Sequence, residues 1–229
     1  MELFGMDMEI KRSKKDIMRL HDKKIEKLKD LEMAKKRDHK IMITEEAIRK
    51  VPHIKYKNIP ESEYDTIQEL ARNILRISKD ENDSNEVAIT YRMNSMERIQ
   101  IGEEYIGVAL GSEHGVDPIS NTTAYHLVSS TEDCIVIVLH NHPSLSNFSL
   151  SDVQFFLRYK SVKMMMVITN LGGIFYLAKG KEYAYDKAVA LFNAAVDLNN
   201  EAKNLKDLQK AADHFLKNCH VAGIDYDNQ

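Results

Sequence analysis

Cysteine is scarce in this chain, with Cys134 and Cys219 as the two examples among 229 residues. Cys134 lies in an apolar run and Cys219 near the end of the chain, so no disulfide framework is indicated and a reducing compartment is expected. Long apolar stretches are missing too, since none approaches the roughly 20 residues of a membrane-spanning helix. The first residues are charged, which argues against a signal peptide. These absences predict a soluble, cytoplasmic protein.

A strong excess of one charge is also missing. The chain carries 32 basic and 35 acidic residues, a formal net charge of −3. Residues 1–50 hold 15 basic and 11 acidic side chains, so the remaining 179 residues are acidic overall. An acidic body is poorly suited to phosphate, which makes nucleic acid an unlikely partner. With 29% charged and 43% hydrophobic residues, the composition is ordinary for a soluble globular protein.

The chain divides into three predicted regions. Residues 1–60 are predicted to form a charged helical arm and a linker, with 13 basic and 6 acidic residues between positions 11 and 40. A narrow apolar stripe on this helix fits loose packing on the body, and it also fits self-association or partner docking. Residues 61–180 are predicted to form the main domain, and residues 181–229 a helical extension.

The main domain alternates between helical and extended patterns. Its continuous or alternating apolar runs predict strands, and its 3.6-residue periodicities predict helices. The predicted helices are 61–79, 118–130 and 149–160, and the predicted strands are 86–91, 105–111, 134–140, 163–169 and 173–179. Met164, Met165 and Met166 are interpreted as core filling within a strand. The expected fold class is α/β (α+β), a mixed sheet flanked by helices.

One stretch, "VLHNHPSLSNFSLSD" (138–152), combines features that are each common alone. Because alternate side chains of a strand share a face, His140 and His142 should present two imidazoles side by side at the strand end. Pro143 turns the chain outward, and Asp152 falls in the first turn of the next helix, able to face back. Two imidazoles and one carboxylate are a typical ligand set for a catalytic Zn²⁺.

Simpler interpretations exist for each part of this stretch. An isolated His-x-His is usually a pair of ordinary histidines, and Ser149-x-x-Asp152 resembles a helix capping box. The order of these features along the sequence favours a metal site: a buried strand, His-x-His-Pro, a short polar loop, Ser-x-x-Asp and then a helix. Capping and metal binding are compatible, because a serine hydroxyl both donates and accepts hydrogen bonds.

Hydrolysis at such a metal also needs a base. The segment "GEEYIGVALGS" (102–112) places Glu104 before an apolar strand, with Gly107 and Gly111 following in a Glu-x-x-Gly-x-x-x-Gly spacing. A carboxylate within hydrogen-bond reach of the attacking water can take its proton. By spacing alone, Glu104 is better explained as a solvated carboxylate, and Glu103 is its neighbour and rival for the role.

Together, "EYIGVALG" and, some thirty residues on, "HNHP" with Ser-x-x-Asp resemble the JAMM/MPN+ (JAB domain) zinc metallopeptidases, most closely the bacterial RadC-like and phage-associated branch. The resemblance covers about residues 85–180 and implies a cytidine-deaminase-like sheet fold. It implies one Zn²⁺ held by His140, His142 and Asp152, with Glu104 as general acid/base and Ser149 assisting the oxyanion. The implied activity is cleavage of a peptide or isopeptide bond.

One departure from the family pattern concerns the loop between ligands. Six residues separate His142 from Ser149, where RadC-type proteins and eukaryotic isopeptidases have seven. This affects the expected substrate groove more than the metal.

Two other hypotheses stay open: a non-catalytic binding or scaffold module, and a RadC-like protein associated with DNA processing. A nearby loop, with Glu113, His114 and Asp117, is interpreted as an ordinary polar loop that could instead line the cleft.

Overall fold

A computed structural model describes residues 40–94, 105–202 and 205–228 of the chain. The described residues form one mixed sheet with helices on both sides. Its strands are β1 (Val87–Arg92), β2 (Ile106–Leu110), β3 (Val136–His142), β4 (Val162–Thr169), β5 (Ile174–Lys179) and β6 (Ile224–Asn228). Its helices are α1 (Glu45–Lys50), α2 (Tyr64–Glu81), α3 (Thr122–Val128), α4 (Leu150–Arg158), α5 (Tyr185–Glu201) and α6 (Leu205–Asn218). The predicted fold class, a mixed sheet flanked by helices, is confirmed.

The strand order in the sheet is β2-β1-β3-β4-β5-β6. Only the central pair, β3 with β4, is parallel, and α4 provides the crossover between these two strands. The other neighbouring pairs are antiparallel. Because β3 lies in the middle of the sheet, both of its edges are paired, and its carboxyl end is fixed from two sides.

Each face of the sheet is covered by a separate set of helices, which we call the four-helix face and the two-helix face. On the four-helix face, α3 to α6 pack on alternate strand residues such as Val136, Val138 and Val167. On the two-helix face, α1 and α2 pack on the strand residues that alternate with these, such as Ile137 and Leu139. By this alternation His140 and His142 belong to the four-helix face, and Asn141 to the two-helix face.

The strand carrying the two histidines is displaced from its predicted position. The apolar run predicts residues 134–140, and the structure has β3 two residues later. The ladder continues because β4 supplies parallel partners for Asn141 and His142, in Ile168 and Thr169. Both histidines are therefore held inside regular structure rather than one of them lying in the following loop.

The regions on either side of the predicted domain are built into the same fold. Residues 181–229 are predicted to be helical, and α5 and α6 agree, but residues 224–228 form β6 and pair with β5. Phe192 on α5 and Phe215 on α6 are fully buried in the core of the four-helix face. From the predicted arm and linker, Ile43, Ile48 and Ile54 are buried on the two-helix face. Residues 1–39, with most of the predicted arm, lie outside the described residues.

The three consecutive methionines of β4 are buried, Met165 on one face of the sheet and Met164 and Met166 on the other. Their interpretation as core filling is confirmed. Among the helices that the structure describes, none combines the length and apolar character required to cross a bilayer.

A lysine is buried in the core of the four-helix face. Lys179 is 1% exposed, its Nζ donates a hydrogen bond to the Tyr159 carbonyl at 2.7 Å, and Nζ lies 5.0 Å and 5.2 Å from the ring centres of Phe156 and Tyr183. Burial is the main reason that its pKa is lowered to about 8, because a charged ammonium loses its hydration there.

Lys179 should make stability depend on alkaline pH. Between about pH 8 and 10.5 the unfolded chain holds a proton on this residue that the folded chain has released, so the free energy of unfolding should rise with pH. The full rise is roughly 3 kcal/mol, at about 1.4 kcal/mol per pH unit. Urea unfolding across this range would measure it, with Lys179→Met as the control. An equal slope in the variant would contradict the assignment.

Candidate metal centre

The candidate site starts from the carboxyl end of β3. His140 and His142 project from the four-helix face and are 2% and 7% exposed. Their rings meet at 4.8 Å between centroids, and their Nε2 atoms are 3.0 Å apart. The predicted arrangement of two adjacent imidazoles at the end of a buried strand is therefore present.

The third member comes from the first turn of α4. Ser149 is the N-cap of this helix, and its Oγ accepts a hydrogen bond from the Asp152 backbone N–H at 3.2 Å. In return, the Ser149 N–H and hydroxyl both donate to Asp152 Oδ2 at 2.7 Å. This reciprocal capping box fixes the Asp152 rotamer and turns its carboxylate back toward the strand end.

The three side chains converge on one point. Asp152 Oδ1 lies 3.4 Å from His140 Nε2, and Asp152 Oδ2 lies 3.7 Å from His142 Nε2. One ligand atom from each residue lies within 4.8 Å of the other two. In the part of the chain that the structure describes, no other group of three His, Cys, Asp or Glu residues meets this distance.

These separations fit a tetrahedral metal. Bonds of about 2.0–2.1 Å at a tetrahedral angle place ligand atoms about 3.3–3.4 Å apart, near the 3.0 Å between the two Nε2 atoms and the 3.4 Å between Asp152 Oδ1 and His140 Nε2. His142 Nδ1 lies 3.0 Å from the Ser146 carbonyl oxygen, which requires the hydrogen on Nδ1 and leaves a lone pair on Nε2. That is the tautomer in which metal-binding histidines are usually held.

The electrostatics of the cluster follow from a partly buried carboxylate beside two buried imidazoles. Burial alone would raise the pKa of Asp152, but His140, His142 and the Ser149 hydroxyl hold it well below its usual range. Burial alone would lower the pKa of His140, but the carboxylates of Asp152 and Glu86 outweigh it, and the pKa is raised. The protein therefore offers an ionised carboxylate directly beside two imidazoles.

A further carboxylate, which no motif of the sequence marked, lies at the same end of the sheet. Glu86 immediately precedes β1 and is 8% exposed. Ala88 pairs with His140 in the antiparallel register, so two residues earlier Glu86 faces His142 on the same side of the sheet. Its electrostatic effect on His140 agrees with that position. The available sequence signal was a glutamate at the start of the strand that neighbours β3.

Glu104 and Glu103, the predicted base and its rival, lie outside the described residues. Their described neighbour, Tyr105, accepts a hydrogen bond at its carbonyl from the Arg92 N–H. Arg92 pairs with Val136, the first residue of β3, whereas His142 is the last. The six residue steps between the ends of β3 span roughly 20 Å. The role of Glu104 stays a prediction.

The other predicted residues have defined places. Ser149 contacts Asp152 as described, so its capping role is present, and its proposed oxyanion role stays a prediction. Asp117 caps a short 3-10 turn by accepting a hydrogen bond from the Ile119 N–H at 3.2 Å. The His114 N–H donates to the Ser112 hydroxyl in a tight turn after β2. These contacts fit the interpretation of an ordinary polar loop.

Replacing Ser149 tests whether the cap also serves the site. Ser149→Ala removes one cap bond and the hydroxyl bond to Asp152, so we expect a loss of about 1 kcal/mol in the free energy of unfolding. We also expect zinc affinity to fall about 10–100-fold, because the carboxylate loses a supporting hydrogen bond. Asn121→Ala is the matched control, since Asn121 caps α3 in the same way. Equal zinc affinities in both variants would contradict the prediction.

Comparison with known proteins gives no match: no family model, curated protein or solved structure is similar to this chain.

Proposed function

We propose that the protein is a zinc-dependent hydrolase of the JAMM type, cleaving a peptide or isopeptide bond, with the corresponding sheet fold. The single observation that carries this proposal is the convergence of His140, His142 and Asp152, of which one ligand atom each lies within 4.8 Å of the others. Such a ligand set of three protein side chains leaves one position open, as catalytic zinc sites require.

Two of the three ligands, His142 and Asp152, would be held by a supporting hydrogen bond. The Nε2 atoms of the two histidines and one Asp152 oxygen would bind the ion, since these atoms face each other across the cluster. The Ser146 carbonyl would hold the His142 ring, and the Ser149 cap would hold Asp152. A bound Zn²⁺ supplies Lewis acidity and lowers the pKa of water toward neutrality.

We assign the proton-transfer role to Glu86 rather than to Glu104. Its place opposite His142 puts the carboxylate on the side of the sheet that carries the ligands. Partial burial at 8% exposure excludes most bulk water and strengthens its interaction with a positively charged site. In this role Glu86 takes the proton of the attacking water at a carboxylate oxygen and passes it to the leaving amine.

The substrate would approach over the loop that joins His142 to Asp152. Leu145 lies in this loop with 61% of its surface exposed, which offers an apolar contact to a substrate. The shorter loop, with six residues between His142 and Ser149, gives a contact surface that differs from the seven-residue loop of the resembling isopeptidases. An amide-containing protein or peptide is the proposed substrate class.

The proposal is tested by metal content and by cleavage together. Purified protein is loaded with zinc, its metal content per chain is measured, and a library of internally quenched fluorescent peptides is incubated with it. We expect about one zinc per chain and peptide cleavage that stops on chelation and returns when zinc is added back. Protein that takes up no zinc, or that binds zinc but cleaves neither these peptides nor isopeptide-linked ones, would refute the proposal.

A further inference from the structure

Behind the metal ligands, on the opposite face of the sheet, lies a pair of fully buried asparagines. We propose that Asn141 and Asn170 are positioning residues, which set the direction of the two histidine side chains and the approach of Glu86. This inference rests on the proposed zinc site, and it assigns a function to the residue between the ligands. Both asparagines are 0% exposed.

Both polar atoms of the Asn141 side chain are hydrogen-bonded. Its Oδ1 accepts from the Val87 N–H at 2.7 Å. Its Nδ2 donates to Asn170 Oδ1 at 2.8 Å, and to the Ser78 hydroxyl and the Asn85 carbonyl at 3.2 Å each. One side chain thus connects β3 to the end of α2, to the loop before β1 and to the first residue of β1.

The bond to Val87 has a direct consequence for the site. Val87 follows Glu86, and the Asn141 side chain stands between His140 and His142 in the chain. The hydrogen bond therefore ties the backbone of the proposed base to the backbone of the two ligands. Because a hydrogen bond in a low-dielectric interior has a sharply preferred geometry, this contact limits sliding of β1 along β3.

Asn170, which directly follows β4, extends this hydrogen-bond network on the other side of β3. Its backbone N–H donates to the His142 carbonyl at 3.1 Å. Its side-chain Nδ2 donates to the Ile41 carbonyl at 2.7 Å and the Ser84 carbonyl at 3.0 Å. Ile41 in turn donates its N–H to the Pro143 carbonyl at 2.8 Å, so the turn after His142 is held as well.

If stability were the only requirement, apolar side chains could fill the place of these two asparagines. Buried polar side chains are costly unless every group is paired, and the oxygen and nitrogen of both amides have hydrogen-bond partners here. The same network touches the backbone on each side of His142 and immediately after Glu86. Groups that support metal ligands in this way typically change metal affinity 10–100-fold when they are replaced.

The test uses Asn141→Ser, which keeps a polar residue but cannot span from Val87 to Asn170. Asn199→Ser is the matched control, a buried asparagine on α5 away from the site. We expect the zinc affinity of Asn141→Ser to fall about 10–100-fold, and the visible absorption spectrum of bound Co²⁺ to change, with neither effect in the control. Equal zinc affinity and an unchanged Co²⁺ spectrum would overturn the inference.

A measurement on the metal-free chain separates this inference from the proposed function. Long-range ¹H–¹⁵N spectra of the imidazole rings report the environments of His140 and His142 without any metal. We expect their signals to shift in Asn141→Ser and not in Asn199→Ser. If the wild-type chain takes up no zinc, the proposed function fails. The ring spectra then still decide the inference, because unchanged signals would refute positioning and selective shifts would support it.

Discussion

His142→Ala should remove zinc binding while leaving the fold in place. The substitution deletes one of three ligands, which we expect to cost about 3–5 kcal/mol of metal-binding free energy, a hundred- to several-thousand-fold loss in affinity. Strand β3 pairs with β1 as far as His140 and with β4 as far as His142, through backbone hydrogen bonds that the alanine retains. The measured zinc content should fall from about one ion per chain to background.

The same variant separates metal binding from folding in a thermal experiment. Zinc at about 100 times its dissociation constant should raise the free energy of unfolding of the wild-type chain by about 2.7 kcal/mol. For a chain of this size that corresponds to a rise of roughly 5–11 °C in the unfolding midpoint. His142→Ala should show no rise. His53→Ala, at an exposed histidine that contacts Asp65, should behave as wild type. A full zinc-induced rise in His142→Ala would place the metal elsewhere.

Glu86→Gln should abolish hydrolysis while zinc remains bound. Glutamine keeps the size and polarity of the side chain but cannot accept the proton of the attacking water. General-base catalysis contributes about 10²–10⁴-fold, so we expect the turnover number to fall by that factor. The assay is cleavage of the library peptide that the wild-type chain cuts best, at equal zinc content in both proteins.

Glu104→Gln is the control that decides between the two carboxylates. The family resemblance assigns the base to Glu104, and the strand register favours Glu86. If Glu86 is the base, Glu104→Gln should keep activity within a few-fold of wild type. If the loss occurs in Glu104→Gln and Glu86→Gln is active, the assignment from the register is wrong and the assignment from the resemblance holds.

Strong local patterns predicted most of the fold correctly. The β-branched run before the histidines identified β3, and the apolar periodicity of residues 61–79 identified α2. β6 was missed, because Ile224–Asn228 is a polar segment whose strand conformation comes from pairing with β5. A short edge strand of this kind has little local signal, since tertiary pairing determines it.

The candidate metal ligands were predictable because all three lie within one continuous stretch of sequence. The strand alternation places His140 beside His142, and the helix cap places Asp152, so local rules suffice. The Glu86 carboxylate could not be found in this way. Its proximity to the histidines depends on which strand pairs with β3 and in which register, and neither is encoded in a local spacing.

The two edges of the sheet differ in a way that bears on how the protein behaves at high concentration. β6 at one edge carries Asp225 and Asp227, and charge on an edge strand discourages the addition of further strands. β2 at the other edge has no charged residue and leaves Val108 and Leu110 exposed by 36% and 53%. Within the described ranges no strand pairs with its outer side. We therefore expect aggregation to begin at β2.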